Sequence, residues 1–221
     1  MRGRYLIPAW VIATSAGVLI SEPLGRELFP RLLRLGAEHG IHYDYASIWN
    51  SVAFFTVIAI PVAALQGLVI GIRMDLVRGL AWVAATVAGA LVTVVLTRFV
   101  IGPHVVSSAG PPNQFIPAIL FPALGGFLLG LIQWLAVLWK RCDPLGVWPV
   151  ASAAIAVLSS LIGFAAVPLL QSGRPPAPGL MGGLFAANVV GSALAEAIAL
   201  AYLVRVEDRA PVPALRRPRQ G

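Results

Sequence analysis

The chain has 221 residues, of which 58% are hydrophobic and only 11% charged, where a soluble domain averages about 25% charged. Its net charge of +7, from 16 basic and 9 acidic residues, sits in clusters between apolar runs, a pattern of membrane topology that argues against a nucleic-acid partner. A single cysteine, Cys142, excludes an intrachain disulfide and a cysteine-based metal centre.

Six apolar runs are long enough to span a bilayer core: Tyr5–Ser21, Ile48–Ile72, Gly79–Ile101, Phe115–Trp139, Val147–Leu170 and Gly179–Val204. They predict an all-α polytopic bundle of six transmembrane helices over residues 1–205. With the N-terminus inside, the cytoplasmic side collects Arg2, Arg4, Arg73, Arg78, Lys140, Arg141, Arg205 and the tail arginines. The far side keeps Arg26, Arg31, Arg34, Arg98 and Arg174. That asymmetry places both termini in the cytoplasm and the protein in the cell inner (plasma) membrane. The first run is too long for a signal-peptide core and lacks a small-x-small cleavage site, so it reads as a membrane helix.

Between the first two runs, Leu24, Leu28, Leu32 and Leu35 share one helical face. They predict a separate amphipathic helix over 24–38, bent at Pro30, lying on the outer surface or closing the bundle mouth as a lid. His39, His42 and Asp44 follow, a spacing that more often sits in an ordinary loop than around a metal; no metal site is assigned. The second run carries Gln66 before Gly67, Gly71 and Arg73, and the third is rich in small residues. The fourth contains Gly126, Gly130 and Gln133 before Trp134, and then Lys140 and Arg141. The sixth spaces Gly179, Gly183, Ala187, Gly191 and Ala195 by four, a seam that admits a second helix at close range. Beside it lie Asn188, Ser192 and Glu196. Residues 206–221 are polar, proline-containing and arginine-rich, and read as a disordered cytoplasmic tail.

An internal repeat links these elements. Gln66, Arg73, Asp75, Gly79 and Trp82 are matched in order by Gln133, Lys140, Asp143, Gly146 and Trp148. The runs starting at Trp10, Trp82 and Trp148 also align, as Trp10-Val-Ile-Ala-Thr14, Trp82-Val-Ala-Ala-Thr86 and Trp148-Pro-Val-Ala-Ser152. They predict three tandem hairpins, about 5–73, 79–140 and 147–205, each opening on a tryptophan that anchors it at the cytoplasmic interface. Aligned through Gly191 and Ala195, the third unit has Ile198 where the others have glutamine. The Gly126-x-x-x-Gly130-x-x-Gln133-Trp134 segment with its following cations and Gly146-x-Trp148 resembles a diffuse group of uncharacterised bacterial multi-pass membrane proteins. The resemblance implies a helical membrane fold and no particular chemistry.

Glu196 is the one acid deep in a predicted span, about 13 Å along the helix from Arg205 at 1.5 Å per residue. An ionised carboxylate there costs about 2.5–3.5 kcal/mol even on the insertion scale, so it must face protein or water. Gln66 and Gln133 lie at a similar depth and equally need partners. No phosphate-binding loop, metalloprotease helix or nucleophile motif is present, so neither catalysis nor a cofactor is expected. Two functions remain. One is a non-catalytic membrane subunit or scaffold, packed through Gly126, Gly130, Gly183 and Gly191, with the lipid bilayer around it. Its partner would be a second copy or another membrane protein docking on the sixth helix. The other is a small-solute binding or transport protein whose cavity is lined by Gln66, Gln133, Asn188 and Glu196.

Overall fold

The computed structural model describes residues 5–40, 43–96, 115–139, 146–171 and 180–209. Among these residues there are six helices and no strand. They are α1 (Leu6–Glu38), α2 (Tyr43–Arg73), α3 (Leu76–Val95), α4 (Phe115–Gln133), α5 (Val147–Gln171) and α6 (Leu180–Arg209). A π-helical turn, Trp134–Leu138, extends α4, with the Trp139 N–H donating to the Trp134 carbonyl at 2.9 Å. Four helices are long and apolar enough to cross a membrane, through Leu6–Glu38, Leu76–Val95, Ile119–Leu138 and Gly183–Val204. Two further apolar stretches, Val57–Arg73 and Val147–Ile162, are shorter over the described residues.

The expected surface helix over 24–38 is not a separate element. It is the second half of α1, which runs unbroken for 33 residues through Pro23 and Pro30. Gly25 and Gly36 lie within the helix and do not end it. The Ser21 hydroxyl donates back to the Gly17 carbonyl at 2.7 Å, the bond a serine makes inside a helix rather than at its end. A proline removes one backbone donor, but a helix carrying good hydrogen bonds on either side tolerates it, most readily where neighbouring helices support it. At 1.5 Å per residue α1 is about 50 Å long, well beyond a hydrocarbon core of about 30 Å. Leu24, Leu28 and Leu35 lie exposed on it. At the other end of the chain, α6 stays helical to Arg209, four residues into the expected tail.

Each helix packs on its neighbours in the chain, and α6 packs back on α1, so the six close into a ring. The contacts show how neighbours run. Thr14 meets Gln66, Gly17 meets Val62 and Ser21 meets Ile58, so α1 and α2 are antiparallel. Thr86 meets Gln133, Gly89 meets Leu129 and Thr93 meets Gly125, so α3 and α4 are antiparallel too. At the α2–α3 turn the Asp75 side chain caps α3 by accepting from the Arg78 N–H at 2.9 Å.

Small residues set the closest approaches. A Cβ added to Gly126 would stand 2.5 Å from the Ser152 carbonyl oxygen and 2.7 Å from the Ala156 Cβ. One added to Gly130 would stand 2.7 Å from the Ser152 side chain, so the α4–α5 seam has no room for it. On α6 the opposite holds. A Cβ at Gly183 or Gly191 meets no atom within 4 Å. Gly126→Ala is therefore expected to cost about 1–3 kcal/mol through overpacking. Gly183→Ala should be neutral or stabilising by up to about 1 kcal/mol through helix propensity. Equilibrium unfolding of the two variants in detergent separates these outcomes.

Candidate functional site

The centre of the ring is polar, and tryptophan builds it. Trp10 on α1, Trp82 on α3 and Trp148 on α5 are 0%, 0% and 1% exposed. They meet edge to face, Trp10 with Trp82 at 5.4 Å between ring centres and Trp82 with Trp148 at 5.6 Å. They are not the interfacial anchors their place in the sequence predicts. A tryptophan one or two turns into a helix suits a headgroup belt, but these three rings point inward, where the odd-numbered helices face one another.

A buried indole N–H needs an acceptor, since nothing in an apolar interior replaces water. Each of the three finds one on the even-numbered helix that precedes its own round the ring. Trp82 Nε1 donates to Gln66 Oε1 on α2 at 3.2 Å, and Trp148 Nε1 donates to Gln133 Oε1 on α4 at 2.9 Å. Trp10 Nε1 donates to Glu196 Oε2 on α6 at 3.1 Å, which closes the circuit between the two ends of the chain.

The glutamine nitrogens are also used. Gln66 Nε2 donates to Thr14 Oγ1 at 3.0 Å and to Glu196 Oε2 at 3.3 Å. Gln133 Nε2 donates to Thr86 Oγ1 at 2.9 Å. Both glutamines are 4% exposed. Glu196 thus receives two hydrogen bonds on one oxygen, and no cation pairs with it among the described residues.

The residue in the glutamine's role on α6 is Glu196, not Ile198, which is 54% exposed. Alignment through the glycines sets the register one helical face away, because Gly183 and Gly191 do not make the contact that Gly126 and Gly130 make. Thr14 and Thr86 are the partners that residue-by-residue reading overlooks. Their signal was present, four residues after each tryptophan, with Ser152 in the third place. Ser152 turns towards α4, where a Cβ on Gly130 would lie 2.7 Å from its Oγ.

Asn188 and Ser192 belong to a different contact. The Ser192 hydroxyl donates to the Asn188 carbonyl at 2.7 Å and pairs with the Ser159 hydroxyl of α5. The Asn188 Oδ1 atom is buried and has no hydrogen-bond partner among the described residues. The four residues expected to line one cavity are therefore split, with Gln66 and Glu196 joined, Gln133 two tryptophans away, and Asn188 on the α5 side. Of the histidines and acids considered for a metal, His39 is exposed and its Nδ1 lies 2.9 Å from the Leu35 carbonyl. His42 and the Asp44 side chain lie outside the described residues, as do Arg98, Lys140, Arg141 and Cys142.

Comparison with known proteins finds no family model, no curated protein and no solved structure that the chain matches.

If the circuit is structural, Gln133→Leu strands the Trp148 N–H and the Thr86 hydroxyl and should lower unfolding free energy by about 1–3 kcal/mol. Combining it with Trp148→Phe should cost less than the sum of the single changes, because both remove the same bond. A double-mutant cycle from unfolding in mild detergent checks this, and strict additivity would contradict it.

Proposed function

We propose that the chain is a non-catalytic subunit or scaffold of the cell inner membrane, crossing it six times as three tandem hairpins with both termini in the cytoplasm. The six crossings are supported by six apolar helices in an antiparallel ring, although α1 is longer than a span. The hairpin repeat is supported by the recurrence of one tryptophan and one side-chain acceptor per helix pair. The orientation rests on the distribution of arginine and lysine along the chain.

The observation that carries the scaffold reading is the closure of the polar centre. Gln66 and Gln133 spend their amides on tryptophan and threonine. None of Gln66, Gln133, Asn188 and Glu196 lines the cavity between α1, α2 and α6, which is walled by other residues. A solute site needs polar groups held open for its ligand, and Gln66, Gln133 and the Glu196 Oε2 atom are taken up by hydrogen bonds within the bundle. That weighs against the transport reading.

What remains for a partner is the outer face of α6. Gly183, Ala187 and Gly191 lie exposed along it, flanked by exposed Leu194 and Ile198. A second transmembrane helix can approach such a face closely enough to gain dispersion contacts that lipid does not supply. The partner is a second copy of this chain or another membrane protein.

A photo-crosslinking residue at Ala187 tests the proposal in native membranes. The expected product is one discrete protein adduct, absent when the same residue replaces Leu135, an exposed position on the π-helical turn after α4. Lipid adducts alone at Ala187 would overturn it. Glu196→Gln keeps an acceptor for Trp10 and should leave both folding and the Ala187 adduct intact, whereas Glu196→Leu should lose about 1–3 kcal/mol of stability.

A further inference from the structure

At the level of the tryptophans α1, α2 and α6 are held together by Trp10, Gln66 and Glu196. Beyond Gly17 α1 and α2 stay in contact at Ser21 and Ile58, and a cavity of about 670 Å³, a size at which small-molecule sites are found, lies between this pair and α6. Its walls are Val18 and Phe29 of α1, Val57 and Ile58 of α2, and Phe185 and Val189 of α6. The hydroxyl in the wall, on Ser21, has its one hydrogen committed to the carbonyls of Gly17 and Ile58, at 2.7 and 3.3 Å. A polar solute would leave its water and gain nothing in return. The cavity suits a hydrocarbon chain.

Its α1 side carries charge between Val18 and Phe29. Glu22 and Arg26 sit at the rim, Arg26 Nη2 lying 2.6 Å from Glu22 Oε1, with both side chains largely exposed. From Leu6 to Arg26 the helix rises about 30 Å at 1.5 Å per residue, which is about the thickness of the hydrocarbon core. An α1 that enters the core near Leu6 therefore brings this pair to the opposite headgroup layer, with the Val18 and Ile58 part of the cavity below it and Phe29 one turn beyond. Tail space under a charged rim at that depth is the outline of a phospholipid.

The rim carries one charge of each sign, and the next turn repeats the arrangement with Glu27 and Arg31. A purely anionic headgroup would meet as much repulsion as attraction there. A headgroup bearing a phosphodiester and a primary ammonium meets both partners, the phosphate on Arg26 and the ammonium N–H groups on Glu22. A quaternary choline has no N–H to give Glu22. We propose that the cavity between α1, α2 and α6 seats one acyl chain of a bilayer phosphatidylethanolamine whose headgroup bridges Glu22 and Arg26.

Gly25 provides the selective test. A Cβ there would meet Val57 Cγ1 at 3.6 Å, an ordinary contact, so the α1–α2 pair accepts a side chain that then grows into the cavity. The full-length protein, delipidated in detergent, is exposed separately to vesicles of phosphatidylethanolamine, phosphatidylcholine and phosphatidylglycerol, and retained lipid is read by native mass spectrometry. The wild type is expected to keep one phosphatidylethanolamine about tenfold better than either alternative, a difference of about 1.4 kcal/mol. Gly25→Leu should lose that lipid with its unfolding midpoint unchanged. The double change Glu22→Gln with Arg26→Gln, on exposed side chains that folding does not need, should abolish the preference among headgroups. Equal retention of the three lipids by the wild type, preference for phosphatidylglycerol, or an undiminished preference in the double variant would each overturn the proposal. So would full retention by a folded Gly25→Leu.

Discussion

An indole N–H buried where water cannot reach must have an acceptor, and three such groups meet at the centre of this protein. Their rings fill the space between α1, α3 and α5, and their hydrogen bonds reach outward to α2, α4 and α6. Packing and polarity are therefore solved by the same residues. The edge-to-face contacts hold the odd helices, each worth about 0.5–1.5 kcal/mol beyond burial, while Gln66, Gln133 and Glu196 tie the even helices to them. A single interhelical hydrogen bond in a membrane averages only about 0.6 kcal/mol. The circuit therefore contributes more to register and closure than to raw stability.

That arrangement bears on function because it commits both glutamines and one oxygen of Glu196 at the centre. The amide of each glutamine has both an acceptor and a donor role filled, and Glu196 stands where a third glutamine would, joining the last helix to the first. Interaction with the surroundings is left to the periphery. The outward small-residue face of α6 offers close approach to a helix, and the apolar hollow under Glu22 and Arg26 offers a place to a lipid chain. The two lie on different faces of α6, since Phe185 and Val189, which line the hollow, stand two residues from Gly183, Ala187 and Gly191 and so point the opposite way round the helix. A partner helix and a lipid need not compete.

Glycine spacing turned out to mean two things in one chain. At Gly126 and Gly130 the missing side chains let α5 reach the backbone of α4. At Gly183 and Gly191 the same spacing borders open space within the described residues. Nothing local distinguishes the two seams, because a glycine reports only that an approach is allowed. The tryptophans pose the complementary problem, since a position near a helix start suits both a headgroup belt and a bundle core. Which one applies depends on whether an acceptor lies opposite, and that acceptor is on another helix.

The sequence by itself determined the all-helical class, the apolar runs that make membrane crossing possible, and the scarce residues that would matter. Gln66, Gln133, Glu196 and the tryptophan blocks are legible because polar and aromatic groups stand out in a chain of alanine, leucine and valine. Even the Thr14 and Thr86 positions were written there, four residues after a tryptophan. Only the tertiary structure decided that Glu196 rather than Ile198 completes the set, that the tryptophans are core rather than anchors, and that α1 continues through two prolines to Glu38. The physical reason is common to all three. Each depends on which atoms stand across a helix interface, and hydropathy along one chain carries no information about the helix opposite.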